Sequence, residues 1–183
     1  DALVEVGKEA KLSAEKMTSL ASTSMMVDAL TNVVDRLCSS VNGLADDWNS
    51  FDKGMRAVNT MAGKNAEDLG KLKDQVAALG NEIPKTKEEL SAGLYQVISN
   101  GVPENNWIAF LEQSAKASVG GIADLGQTVT VTSTIIKNYG LEWDKAGEIQ
   151  DKIQMTAKNG VTSFEQLAAA LPRVSGNAAT LDV

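Results

Sequence analysis

From Met26 onward apolar side chains recur at Leu30, Val33, Leu37, Val41, Leu44, Trp48, Phe51, Met55, Val58 and Ala62. The steps alternate between four and three residues, apart from two successive fours at Val33, Leu37 and Val41. A 3-4 alternation is the seam of a coiled coil, and one extra four-residue step is a stutter that unwinds the supercoil locally. Val6, Ala10, Met17 and Leu20 extend the stripe upstream more weakly, and no proline interrupts the first 62 residues. Gly7, Gly43 and Gly54 weaken it, each by roughly 1 kcal/mol against alanine. The pattern predicts a long, imperfect helical arm over 1–62, or two helices with a break near Gly43. At about 1.5 Å per residue a continuous arm would span on the order of 90 Å. Self-association is expected through Leu30, Val33, Leu37, Val41, Leu44, Trp48, Phe51 and Met55, which a lone helix would leave in water.

Beyond Ala62 the pattern changes to short helices with start and stop signals. Asn65 with Asp68 opens one, and Gly80 is the expected end. Thr86 to Glu89 reads as a capping box for a helix closing before Gly101. Pro103 starts a helix through Trp107, Phe110 and Leu111 that stops at Gly120-Gly121. Asp124 and Gln127 open the next, which closes at Gly140. Within it Thr128 to Ile136 is rich in β-branched residues, whose propensity favours a strand. A lone strand would have no partner, so the segment is expected to be helical. Trp143 to Lys158 forms a further helix, stopped by Gly160. Thr162 to Glu165 caps a last one that Pro172 kinks or ends. The expectation is an all-α chain: a long coiled-coil-like helix over 1–62, then short capped helices over 63–183. Glycines 80, 101, 120, 121, 140 and 160 would be its hinges.

Composition narrows the chemistry. The 183 residues carry 43% hydrophobic but only 4% aromatic side chains, a mixture that suits helices packed along stripes. The formal charge of −7 opposes stable nucleic-acid binding, which draws affinity from Lys and Arg displacing counterions. There is no histidine, so the commonest general base and metal ligand is missing. The single Cys38 cannot form an intrachain disulfide and reads as a small buried hydrophobe. Adjacent carboxylates at Asp46-Asp47 and Glu88-Glu89 point to different sides of a helix, which suits solvated surface better than catalysis. Met17, Met25, Met26, Met55 and Met61 read as seam packing, or as an adaptable partner surface. No catalytic, metal or cofactor site is expected. The first residue, Asp1, suggests a piece of a longer polypeptide.

The order of the short helices carries a resemblance. KTKEELSAGLYQVISNGVPENN (Lys85 to Asn106), FLEQSAKASVGGIADLGQTV (Phe110 to Val129), NYGLEWDKAGEIQDKI (Asn138 to Ile153) and NGVTSFEQLAAALPRVSGNAATLDV (Asn159 to Val183) together resemble the core region of phage tail tape measure proteins. WNSFDKGMRAV (Trp48 to Val58) extends the likeness upstream. Trp107 and Trp143 are heavier than that pattern expects. The resemblance implies a structural virion protein of the tail lumen, made in the bacterial host cytoplasm. It would set tail length during tube assembly and leave at infection to assist DNA delivery. It further implies a homo-oligomer, with a trimer suggested, that meets tail tube and tail-tip or baseplate proteins and transiently contacts the host envelope.

Two other readings stand beside it. A membrane-active or secreted helical effector would use the long helix, but that helix lacks a Lys/Arg-rich polar face. A cell-wall hydrolase domain would need a His, Cys/His or zinc constellation that the sequence does not contain.

Overall fold

A capped start, a buried stripe and a stop signal recur along the second half of the chain. In the computed structural model they give antiparallel helices in sequence. The structure describes residues 31–36, 46–121, 123–160 and 162–180. The chain divides into two units, 1–46 and 47–183. In the first, residues 31–36 are helical and solvent-exposed. Leu30, Leu37, Cys38, Val41, Leu44, Met17, Met25 and Met26 lie outside the described residues, as do Gly7 and Gly43 with most of the long arm.

The second unit contains α1 (46–62, all but its first residue), α2 (Ala66–Glu82), α3 (Lys87–Ser99), α4 (Trp107–Gly121), α5 (Leu125–Tyr139), α6 (Ala146–Asn159) and α7 (Phe164–Thr180). Short 3-10 turns, Glu104–Asn106 and Trp143–Lys145, lead into α4 and α6. Among the described residues there is no strand. Phe51, Met55 and Val58 fall in the second unit, with the short helices.

Local chemistry accounts for the starts. Asn65 accepts a hydrogen bond from the Asp68 N–H at 2.9 Å, and Asp124 accepts one from the Gln127 N–H at 2.9 Å. Thr86 and Glu89 form a reciprocal capping box. Before α7 the box sits one residue later than expected: Ser163 Oγ accepts from the Gln166 N–H, and Gln166 Oε1 accepts from the Ser163 N–H, both at 3.2 Å. Starting there turns Phe164 into the core. Gly140, at φ 61°, closes α5 in the left-handed conformation that glycine adopts without penalty.

Gly120 and Gly121 end α4 as its last two residues. Gly80 differs from the expected stop: it is inside α2, which runs on until the Ile83 N–H caps it on the Leu79 carbonyl. Of the two outcomes expected at Pro172, an end of the helix does not occur, because Pro172 is within α7. There α7 packs along α5, the most extensive helix pairing in the unit, and this tertiary contact outweighs the lost backbone bond.

The β-branched segment is the centre of the fold. Helix α5 packs against α3, α4, α6 and α7. Its Thr128, Val129, Val131, Thr132, Ser133 and Ile136 are buried. The hydroxyls of Thr128 and Thr132 donate to the carbonyls of Asp124 and Thr128 at 2.9 and 2.8 Å, so burial leaves them satisfied inside the helix.

Candidate interaction surfaces

The stripe read from the sequence separates into two fates. Phe51, Met55 and Val58 are fully buried and join the core formed with Leu72, Val76, Leu90 and Leu94. Trp48 and Val33 are about half exposed, at 52% and 53%. Phe51 and Met55 thus pack on the chain's own later helices. The reason is local: Gly54, one residue before Met55, removes the side chain that would hold α1 away from α3. A Cβ built there would stand 2.8 Å from Ser91 Cβ. Lys87 Nζ sits 3.8 Å above the Trp48 ring, and Trp48 meets Phe51 edge-on at 5.7 Å. Of the described methionines in the expected partner stripe, Met55 is buried and Met61 is 50% exposed.

Ion pairs brace the same corner. Asp52 receives Arg56 at 2.6 Å and pairs with Lys73 of α2. The hydrogen bond from Lys73 is the main cause of a lowered Asp52 pKa. Lys64 pairs with Glu104 and lies 5.7 Å from the Trp107 ring, whose Nε1–H donates to the Val102 carbonyl at 2.8 Å. Trp143 packs edge-on against Phe110 at 5.9 Å. Both bulky tryptophans therefore fasten the turns that precede α4 and α6.

An apolar depression lies between α5, α6 and α7. It encloses about 400 Å³ among Ile135, Ile149, Ile153, Leu167 and Leu171, with Lys152 as the cation on its lining. Tyr139, Leu141 and Val174 stand at its edge, each about two-fifths to one-half exposed. Sequence periodicity could not single out this groove, because it depends on how three helices splay.

The carboxylate pairs are surface groups: Asp46, Asp47, Glu88 and Glu89 are all exposed. Among the described residues no group of three or more His, Cys, Asp or Glu side chains converges on a point. None of the described helices is long and apolar enough to cross a membrane. Buried polar side chains are instead spent between helices. Gln150 of α6 donates from Nε2 to Ser114 Oγ of α4 at 3.0 Å and to Thr132 Oγ1 of α5 at 3.2 Å. Asn138 Nδ2 donates to Ser175 Oγ of α7 at 2.8 Å.

Such features, packing surfaces and polar joints between short capped helices, define a helical structural module. The chain belongs to the phage-related minor tail protein family, whose match covers residues 73–183. It is 23% identical over 135 residues to a probable tape measure protein of Clostridium phage phiCD119, covering 72% of this chain and 14% of the relative. It is 24% identical over 127 residues to a tape measure protein of Pneumococcus phage Dp-1, covering 69% of this chain and 11% of the relative. The chain thus spans about a seventh or less of the length of these curated relatives. No solved structure matches it. Family membership gives it a structural role in a phage tail.

Proposed function

We propose that this chain is a segment of a tail tape measure protein, which sets tail length during tube assembly and leaves at infection to assist DNA delivery. The observation that carries the reading is the pair of relatives named as tape measure proteins, each matched over about 70% of this chain and each many times longer. A ruler needs a fixed rise per residue, and helices supply it at about 1.5 Å. The role is one of packing and extension, with no enzymatic step and no cofactor. The protein would sit in the tail lumen as a homo-oligomer, contacting tube and tail-tip or baseplate proteins.

Self-association is assigned to the part of the stripe that precedes α1 in the sequence, Leu30, Val33, Leu37, Val41 and Leu44, with Trp48 at its boundary. Leu37→Asp with Leu44→Asp should abolish oligomers of the full chain in sedimentation experiments. An unchanged sedimentation coefficient would remove this assignment. The ruler itself is tested in the parent phage. In-frame deletion within the gene should shorten tails by about 1.5 Å per helical residue removed, measured by electron microscopy. Tails of unchanged length would refute it.

A further inference from the structure

The tripeptide Asn-Gly-Val occurs twice, at Asn100-Gly101-Val102 and at Asn159-Gly160-Val161. Each closes a helix: Asn100 caps the end of α3, and Asn159 is the last residue of α6. An asparagine followed by glycine is the peptide unit most open to spontaneous loss of the side-chain amide. Glycine brings no side chain to shield its nitrogen, and its backbone turns freely. The residue that follows asparagine largely sets the intrinsic rate, so the two sites start equal and the fold decides between them.

The first site is pinned. Asn100 donates from Nδ2 to the Gln96 carbonyl at 2.8 Å, which holds its amide back along α3. Gly101 is left-handed, at φ 69°, and its N–H donates to the Ile98 carbonyl at 2.8 Å. Val102 is buried, its N–H donates to the Val97 carbonyl at 3.3 Å, and its own carbonyl accepts from the Trp107 indole. Bringing the Gly101 nitrogen onto the Asn100 side chain would pull this whole turn out of the core.

The second site is open. Asn159 and Gly160 are exposed, and among the described residues the Asn159 side chain has no hydrogen-bond partner. The Gly160 N–H donates to the Thr156 carbonyl at 2.9 Å, a bond of the terminal turn of α6. Terminal turns fray at little cost. Gly160 is already extended, at φ −101° and ψ −179°.

We propose that Asn159–Gly160 is a deamidation site, while the fold protects Asn100–Gly101. When the end of α6 frays, the Gly160 nitrogen gives up its proton and attacks Asn159 Cγ. The N–Cγ bond forms, the Cγ–Nδ2 bond breaks, and the amide leaves as ammonia with that proton. Water then opens the cyclic imide. Opening at Cγ leaves the backbone as it was, with aspartate at 159. Opening at the α-carbonyl routes the backbone through the side chain as isoaspartate, longer by one methylene. Either product places a carboxylate at the C-terminal end of α6, where the helix dipole is negative, and so weakens its last turn. Thr156 of that turn lines the apolar groove, so the change reaches the groove's edge. The inference rests on local geometry and is independent of the tape-measure role.

Ageing the full chain at mildly alkaline pH, followed by digestion and mass spectrometry, reads each site from its own peptide. Asn42–Gly43, which lies outside the described residues, is resolved in the same way and does not enter the comparison. In the folded chain Asn159 should convert about thirty-fold faster than Asn100. That is the factor for two net hydrogen bonds, here Asn100 to Gln96 and Val102 to Val97, which the first turn must break in addition. In denaturing urea the two rates should draw level, because the tripeptide is the same. Conversion of Asn159 in the folded chain no faster than that of Asn100, or an equal preference for Asn159 in urea, would overturn the proposal.

Discussion

Gly54 of α1 lies against Ser91 of α3 so closely that the Ser91 hydroxyl occupies the space of a β-carbon. Ser91 is 1% exposed and its hydroxyl donates to the Glu88 carbonyl at 2.9 Å, so it is held rather than free to swing away. Gly54→Ala should therefore destabilise the unit by about 1–3 kcal/mol, the range for overpacking, although alanine is the better helix former. Ser91→Gly in the same chain should recover part of that loss. Urea titration of the single and double variants measures the coupling. Additive effects would mean that the two residues do not share this space.

The fate of the stripe gives a second expectation. Phe51→Ala and Met55→Ala should each cost about 2–5 kcal/mol, because each empties a fully buried site. Trp48→Ala should cost only about 0.5–1 kcal/mol, the value of an exposed cation-π contact with Lys87. Thermal or urea unfolding ranks the three. Equal losses at all three positions would place Trp48 in the core as well.

How far the sequence discloses this fold depends on the range of the interaction. Asn65, Thr86, Asp124 and Gly140 act on backbone groups within four residues, and all four start or end helices where expected. Gly80 and Pro172 look the same in sequence as true stops, yet lie inside helices. At Gly121 the deciding partner is distant: a β-carbon would meet the Phe164 ring at 2.7 Å, so glycine is needed for packing as well as for termination. At Phe51 and Met55 the partner of the stripe is distant too, the core of the chain's own later helices. A 3-4 repeat shows which face is apolar, but not whether the partner is another copy or the same chain's next helices. The three-way junction at Gln150 was invisible, since its partners are 36 and 18 residues away.

Pro172 offers a gain instead of a loss. It is in the middle of α7, where it forgoes an N–H bond to the Ala168 carbonyl and crowds that carbonyl. Pro172→Ala should stabilise the unit, by up to about 3 kcal/mol if α7 straightens without losing its contacts to α5. Differential scanning calorimetry reads this as a raised Tm. A lowered Tm would show that the proline's shape is required by the α5–α7 packing.

The cap of α3 makes stability depend on acid. The Thr86 N–H donates to Glu89 Oε2 at 2.8 Å, and Lys85 Nζ reaches Glu89 Oε1 at 3.1 Å. The backbone bond from Thr86 is the main cause of a lowered Glu89 pKa; burial opposes it, and Lys85 adds to the lowering. A carboxylate whose pKa is lower folded than unfolded stabilises the fold fully above its unfolded value. That contribution fades as pH falls through the folded value, when protonation removes the acceptor. Asp52, lowered chiefly by Lys73, contributes with the same sign, so acid sensitivity alone does not isolate the cap. Glu89→Gln does isolate it. Near neutral pH this variant should be less stable than the parent, whereas at a pH below the ordinary glutamate range the two should converge. Thr86→Ala should cost about 1 kcal/mol at neutral pH through loss of the side-chain cap alone. It should keep most of the acid dependence, because the backbone N–H that holds Glu89 remains. Urea midpoints measured across the acid range decide the matter. A constant gap between parent and Glu89→Gln at every pH would mean that the charge on Glu89 contributes nothing to the cap.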